Sequence, residues 1–183
     1  MKKFLLLLFA VFLTASVPAQ DKQFSSTEKN VFKVNTLSLL IGTGSVFYER
    51  EFSDLLSGQM GVSYTNFKFW DTRFKGTTLT PEVRIYPKKN GVDGFYLAPY
   101  FRYQQYSLED DDEDFRNTLT SFGGGFLLGR QWIRESGFTM DFFFGGHYGK
   151  ADTSEEESGI NQSSYNIFEG FKMRTGFALG FAF

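Results

Sequence analysis

Glu49, Glu82, Arg84, Arg102, Asp141, Lys172 and Arg174 stand at alternate positions in otherwise apolar stretches. In an extended chain successive side chains point to opposite faces, so these charges share a face with Gly, Ala, Ser and Thr, opposite large apolar groups. Charges taken out of water must be paired and hydrogen-bonded. The chemistry they predict is therefore an interior ion-pair network, with Arg102 against Glu82 or Glu49 as its leading contact. A proton or ion path through the network is the lesser alternative, and inward Tyr96, Tyr100 and Phe143 argue against an open pore.

Other chemical constellations are sparse. His147 is the only histidine, so no multi-histidine metal site is expected. Histidine beside a nucleophile would suit covalent catalysis, but His147-Tyr148-Gly149 supplies no Ser. The run Glu109-Asp110-Asp111-Asp112-Glu113-Asp114 offers oxygen ligands to a hard cation, yet it lacks the Gly of an EF-hand turn. A solvated, self-repelling loop is the preferred reading there. No GxGxxG, Walker, HExxH or CxxC pattern occurs. No catalytic residue, metal or cofactor is expected, and the chain reads as a non-enzyme.

Period-two alternation defines the elements that would position these residues. In the closing stretch Phe171, Met173, Thr175, Phe177, Leu179, Phe181 and Phe183 alternate with Lys172, Arg174, Gly176, Ala178, Gly180 and Ala182. Similar alternation predicts strands over 32–41, 45–52, from 59, 77–86, 95–107, 118–132, 138–148 and from about 165. In the first, Leu37, Leu39 and Ile41 would share a face; over 66–70 the alternation fails, which predicts a bulge. Pro81 is awkward within the fourth. Turn residues fill 42–44, 53–58, 87–94 and 134–137, whereas 109–114 and 150–164 read as longer acidic loops and the third connection as longer and aromatic. The expectation is an all-β, eight-stranded, antiparallel up-and-down transmembrane β-barrel.

Volume decides which face lies inside. Aromatic residues make up 19% of the chain, with 24 Phe, far more ring volume than an eight-stranded interior can hold. The large face must point outward to lipid, unlike a soluble barrel that lines a ligand cavity with it. Rings near strand ends predict two girdles: Phe52, Tyr86, Phe95, Trp132, Phe138, Phe181 and Phe183 at one rim, and Phe67, Phe69, Trp70, Tyr103, Tyr148 and Phe171 at the other. Lys2 and Lys3, the apolar run Phe4 to Leu13 and Val17-Pro18-Ala19 read as a signal peptide over 1–19, followed by a polar leader over 20–30 and the barrel over 31–183. Losing Lys2 and Lys3 shifts the formal charge from −2 to −4, which excludes a basic nucleic-acid surface. With no cysteine there is neither a disulfide framework nor a lipidated Cys. Short turns face the periplasm in such barrels, so both termini are expected there.

The ending Phe177, Leu179, Phe181 and Phe183 resembles the terminal strand of Gram-negative outer-membrane barrels, the signal that the barrel assembly machinery reads. Over about 31–183 the chain looks like an OmpA- or OmpX-like small barrel. Asn35-Thr36-Leu37-Ser38-Leu39-Leu40 followed by Ser45-Val46-Phe47-Tyr48-Glu49-Arg50 is similar to a family of short exported barrels of unassigned function. The resemblance implies the outer membrane as location, and lipid, lipopolysaccharide and the assembly machinery as partners. It implies a structural or interaction role through the acidic loops, the alternative being an accessory subunit of a larger outer-membrane complex. A lipid-modifying enzyme and a narrow channel are lesser alternatives. Lipid A deacylases of this size carry their His and Ser one residue apart on the outward face, whereas His147 has inward parity.

Overall fold

The computed structural model describes residues 29–69, 72–88, 91–110, 116–153 and 169–183. These form a closed antiparallel barrel in which every strand pairs with its sequence neighbours and β8 returns to β1. The strands are β1 (Asn30–Asn35), β2 (Thr43–Ser53), β3 (Leu56–Phe69), β4 (Thr72–Ile85), β5 (Gly94–Asp110), β6 (Arg116–Ile133), β7 (Phe138–Thr153) and β8 (Gly170–Ala182). One helical turn, α1 (Thr36–Leu39), links β1 to β2. The start of β1, the end of β8 and the connections after β2, β4 and β6 lie at one rim, the terminal rim; the opposite rim is the loop rim. Asn30 and Phe183 close the terminal rim by exchanging backbone hydrogen bonds of 3.1 and 2.8 Å.

The polarity of the molecule is inverted. Phe126, Leu128, Met173 and Phe171 point outward and are 64–70% exposed, whereas Lys33, Glu49, Arg84 and Asp141 point inward and are fully buried. The interior is filled side chain by side chain, as an eight-stranded barrel demands. Rings occupy the space that glycines leave: a Cβ on Gly129 would strike the Tyr96 ring, one on Gly176 the Phe143 ring, and one on Gly61 the Phe47 ring. At the terminal rim Val92, in the β4–β5 turn, joins Val31, Ile133 and Ala182 in the buried core and floors the lumen.

Several expectations need correction. The first strand ends at Asn35, not Ile41. Asn35 acts as an N-cap, its side chain accepting from Ser38 N at 3.3 Å, and this diverts 36–39 into α1. Leu37, Leu39, Leu40 and Ile41 are therefore exposed residues of a turn, not one face of a strand. No bulge occurs over 66–69: Asn66 to Phe69 pair in register with Lys75 to Thr72. The irregularity falls in β2, between Glu51 and Ser53. The third connection is thus not a long loop, since the ladder runs to Phe69 and resumes at Thr72.

Pro81 does interrupt pairing, on one side. The β4–β5 ladder is continuous from Thr72–Asp110 to Leu79–Tyr103, then registers only at Glu82–Tyr100 and Ile85–Leu97. Pro81 and Pro99 both lack the N–H that a ladder uses. Tyr86 is no girdle residue; it is 1% exposed and points inward. The expected acidic loops start later, because Glu109 and Asp110 belong to β5 and Lys150 to Thr153 to β7. The side chains of Phe67 and Phe69, all of Trp70 and Tyr165, and the expected signal peptide lie outside the described residues.

The seating of rings over glycines predicts that Gly129→Val, which drives a side chain into the fully buried Tyr96, destabilises the barrel by about 1–3 kcal/mol. Urea unfolding in detergent micelles measures this; an unchanged midpoint would show that the interior is loosely filled.

Candidate functional site

Two carboxylates anchor the lumen. Glu49, on β2, accepts from Lys33 Nζ at 2.6 Å and Arg84 Nη1 at 3.1 Å through Oε2. Its Oε1 accepts from Ser57 Oγ at 2.6 Å and Tyr86 OH at 2.7 Å. Asp141, across the barrel on β7, accepts from Lys33 Nζ and Arg84 Nη1, both at 2.9 Å, through Oδ2, and from Tyr96 OH at 2.8 Å through Oδ1. Lys33 spends its third N–H on Gln131 Oε1, so every donor of its ammonium is used. Gln131 Nε2 in turn donates to the Val92 carbonyl at 2.7 Å, tying the network to the floor of the lumen.

Arg84 carries the network toward the loop rim. Its Nη2 lies 3.3 Å from Glu82 Oε2, which also accepts from Gln59 Nε2 at 3.0 Å. Arg174 Nη1 sits 2.7 Å from Glu82 Oε1, an ion pair whose angles fall outside hydrogen-bond geometry. The Arg84 guanidinium stacks 4.2 Å from the centre of the Tyr96 ring. The cations Lys33, Arg84 and Arg174 thus balance the carboxylates Glu49, Glu82 and Asp141.

The sequence-derived candidates separate into two groups. Glu49, Glu82, Arg84, Asp141 and Arg174 meet in this network. The contact expected of Arg102 with Glu82 or Glu49 is made by Arg84 instead, two residues beyond Glu82 on the same face of β4. Arg102 lies further toward the loop rim, and Lys172 donates to the Glu169 carbonyl at 2.6 Å. Phe181, on β8, and Phe183, just beyond it, point outward and are 53% and 57% exposed. His147 points inward and is buried.

Lys33 is the member that sequence reasoning missed. A strand running to Ile41 assigns odd positions to the outer face; ending β1 at Asn35 frees Lys33 to point inward. The signal was local, since Phe32 and Val34 flank Lys33 and claim the outer face. Among the described residues, no group of His, Asp or Glu is placed to hold a metal ion. The arrangement orders charge and fills space.

A closed barrel of eight strands with salt bridges inside and large apolar groups outside is a small outer-membrane-type β-barrel. The crystal structure of a major outer membrane protein from Thermus thermophilus has a similar fold: the TM-score is 0.51 at 14% identity, covering 84% of this chain and 99% of that one. The chain belongs to the family described as "Protein of unknown function (DUF3575)", whose profile matches residues 4–181. No curated protein matches it.

Removing one partner of a buried ion pair leaves the other uncompensated, at about 3–5 kcal/mol. Arg84→Met, which strands Glu49, Glu82 and Asp141 together, is expected to lose at least that much in urea unfolding. Lys33→Met combined with Glu49→Leu should cost less than the sum of the single changes, because the pair acts as a unit. Additive losses would show that Lys33 and Glu49 are not coupled.

Proposed function

We propose that this protein is a non-enzymatic integral barrel of the outer membrane, OmpA- or OmpX-like, that crosses the bilayer with its eight strands and keeps its lumen closed. Both termini face the periplasm, and the loop rim faces the cell exterior. Its partners are lipid, lipopolysaccharide and, during insertion, the barrel assembly machinery reading Phe177, Leu179, Phe181 and Phe183. Its role is structural, or interactive through the acidic segments at the loop rim.

The observation that carries this reading is the inverted polarity. Outward rings and aliphatics from every strand form a continuous apolar surface that water would not tolerate and a hydrocarbon layer requires. Exposed Phe52, Phe95, Phe138, Phe181 and Phe183 near the terminal rim suit an interfacial girdle. The neutralised network and the floor at Val92 support a closed lumen rather than a channel.

The chain has no cysteine, so single cysteines can report topology without background. In intact cells Asp112→Cys is expected to react with a membrane-impermeant maleimide, whereas Ser136→Cys reacts only after the outer membrane is permeabilised. The reverse pattern would overturn the orientation, and labelling of both in a soluble fraction would overturn the location. In planar bilayers the purified barrel should be electrically silent; stepwise conductance would sink the closed lumen.

A further inference from the structure

The loop half of the lumen differs from the half just described. Tyr100 on β5, Gly125 on β6, His147 on β7 and Lys172 on β8 stand in register along the wall. Arg102 follows Tyr100 on the same inward face, about 7 Å further toward the loop rim, opposite Gly123. Arg174 lies beside this row; its guanidinium is 4.7 Å from the centre of the Tyr100 ring, and the Tyr100 and His147 rings are 6.1 Å apart. Thr78, Thr80, Ser121, Gly123 and Gly125 add only small side chains to the wall of this half.

Charge and hydrogen bonding are both incomplete here. Every inward carboxylate of the network is already matched by Lys33, Arg84 or Arg174, and among the inward side chains described in the loop half, which do not include Asp110, none is acidic. Arg102 forms no ion pair among the described residues. Its Nε and the Nδ1 of His147, itself only 6% exposed, are buried without a hydrogen-bond partner. An orphaned buried donor costs more than the mean hydrogen bond returns, and a charged one costs most. Water could accept from these groups but would not neutralise the guanidinium. A ligand with several anionic oxygens does both, and guanidinium groups match that geometry in pairs of parallel hydrogen bonds.

We propose that the loop half of the lumen is a phosphate-binding site, entered from the loop rim, in which Arg102 and Arg174 hold the oxyanion and His147 donates a further hydrogen bond. The phosphate is either a free ion or the headgroup of a lipid at the membrane surface. This goes beyond the structural reading above and does not depend on it, since it concerns only the interior.

His147 is the only histidine, so its Cε1–H gives a single resonance in the full barrel labelled at that histidine carbon. Titration of the micellar protein with inorganic phosphate, at ionic strength held constant with chloride, should shift that resonance saturably. Arg102→Gln should weaken binding roughly tenfold to a hundredfold, the loss of one charge-assisted pair, and Arg102→Lys should recover part of it. Arg130→Gln, outside the lumen and stacked on Phe95 and Trp132, should leave it unchanged. Vesicles containing lipopolysaccharide, compared with phosphatidylcholine alone, separate the sources: competition by the former identifies a headgroup, and its absence a free ion. No saturable shift, an equal response to chloride, or full affinity in Arg102→Gln would overturn the site.

Discussion

Glu49 and Asp141 face each other across a space from which water is excluded, and both must be neutralised there. Lys33 and Arg84 each bridge both carboxylates, so strands β1, β2, β4 and β7 are tied by four ion pairs converging on one point. The desolvation cost of burying these groups is large, and only near-complete pairing offsets it. Much of the remaining interior follows from that requirement. Tyr86, Tyr96, Ser57 and Gln131 are held where their polar atoms complete the coordination of these charges. The glycine at 129 follows in turn, because Tyr96 can reach Asp141 only by lying flat over a residue without a Cβ.

The same arithmetic explains why the lumen has two characters. Near the terminal rim, charge, volume and hydrogen bonds all close. Toward the loop rim the described inward side chains include cations but no carboxylate, with Arg174 shared at the boundary between the halves. A barrel that only needed filling could have been apolar throughout. The asymmetry is a property of where acids occur along the inward face, and it gives the two ends of one cylinder different affinities for ions.

Much of this was legible in the sequence, for a physical reason: period-two alternation survives wherever a strand has one side packed and one side apolar. The inward placement of Glu49, Glu82, Arg84, Asp141 and Arg174, and the outward placement of Phe126, Leu128 and Met173, follow from parity within a single strand. What parity cannot give is which inward groups meet, because that depends on the stagger between strands. Hence Arg84, and not Arg102, reaches Glu49. Nor does parity survive a helical turn, so the pattern beyond Asn35 says nothing of the side to which Lys33 points. Tyr86 lies near a strand end, as a girdle ring would, but its parity turns it inward.

A ring is only as strong as its weakest joint. β5 and β6 are laddered from Gly94–Gln131 to Glu109–Arg116, but β1 meets β8 only from Val31–Ala182 to Asn35–Ala178. Beyond Ala178 that edge of β8 has no strand beside it among the described residues; α1 lies there, with Thr36 Oγ1 donating to the Phe177 carbonyl at 3.0 Å. An uncovered edge is a template for foreign strands, and a helical turn laid across it blunts that hazard without completing the ladder. Thermal breathing of the wall must therefore concentrate around β1, whose ladders to β2 and to β8 are the shortest in the barrel. The cylinder behaves as a stiff sheet with a latch, and α1 is the latch.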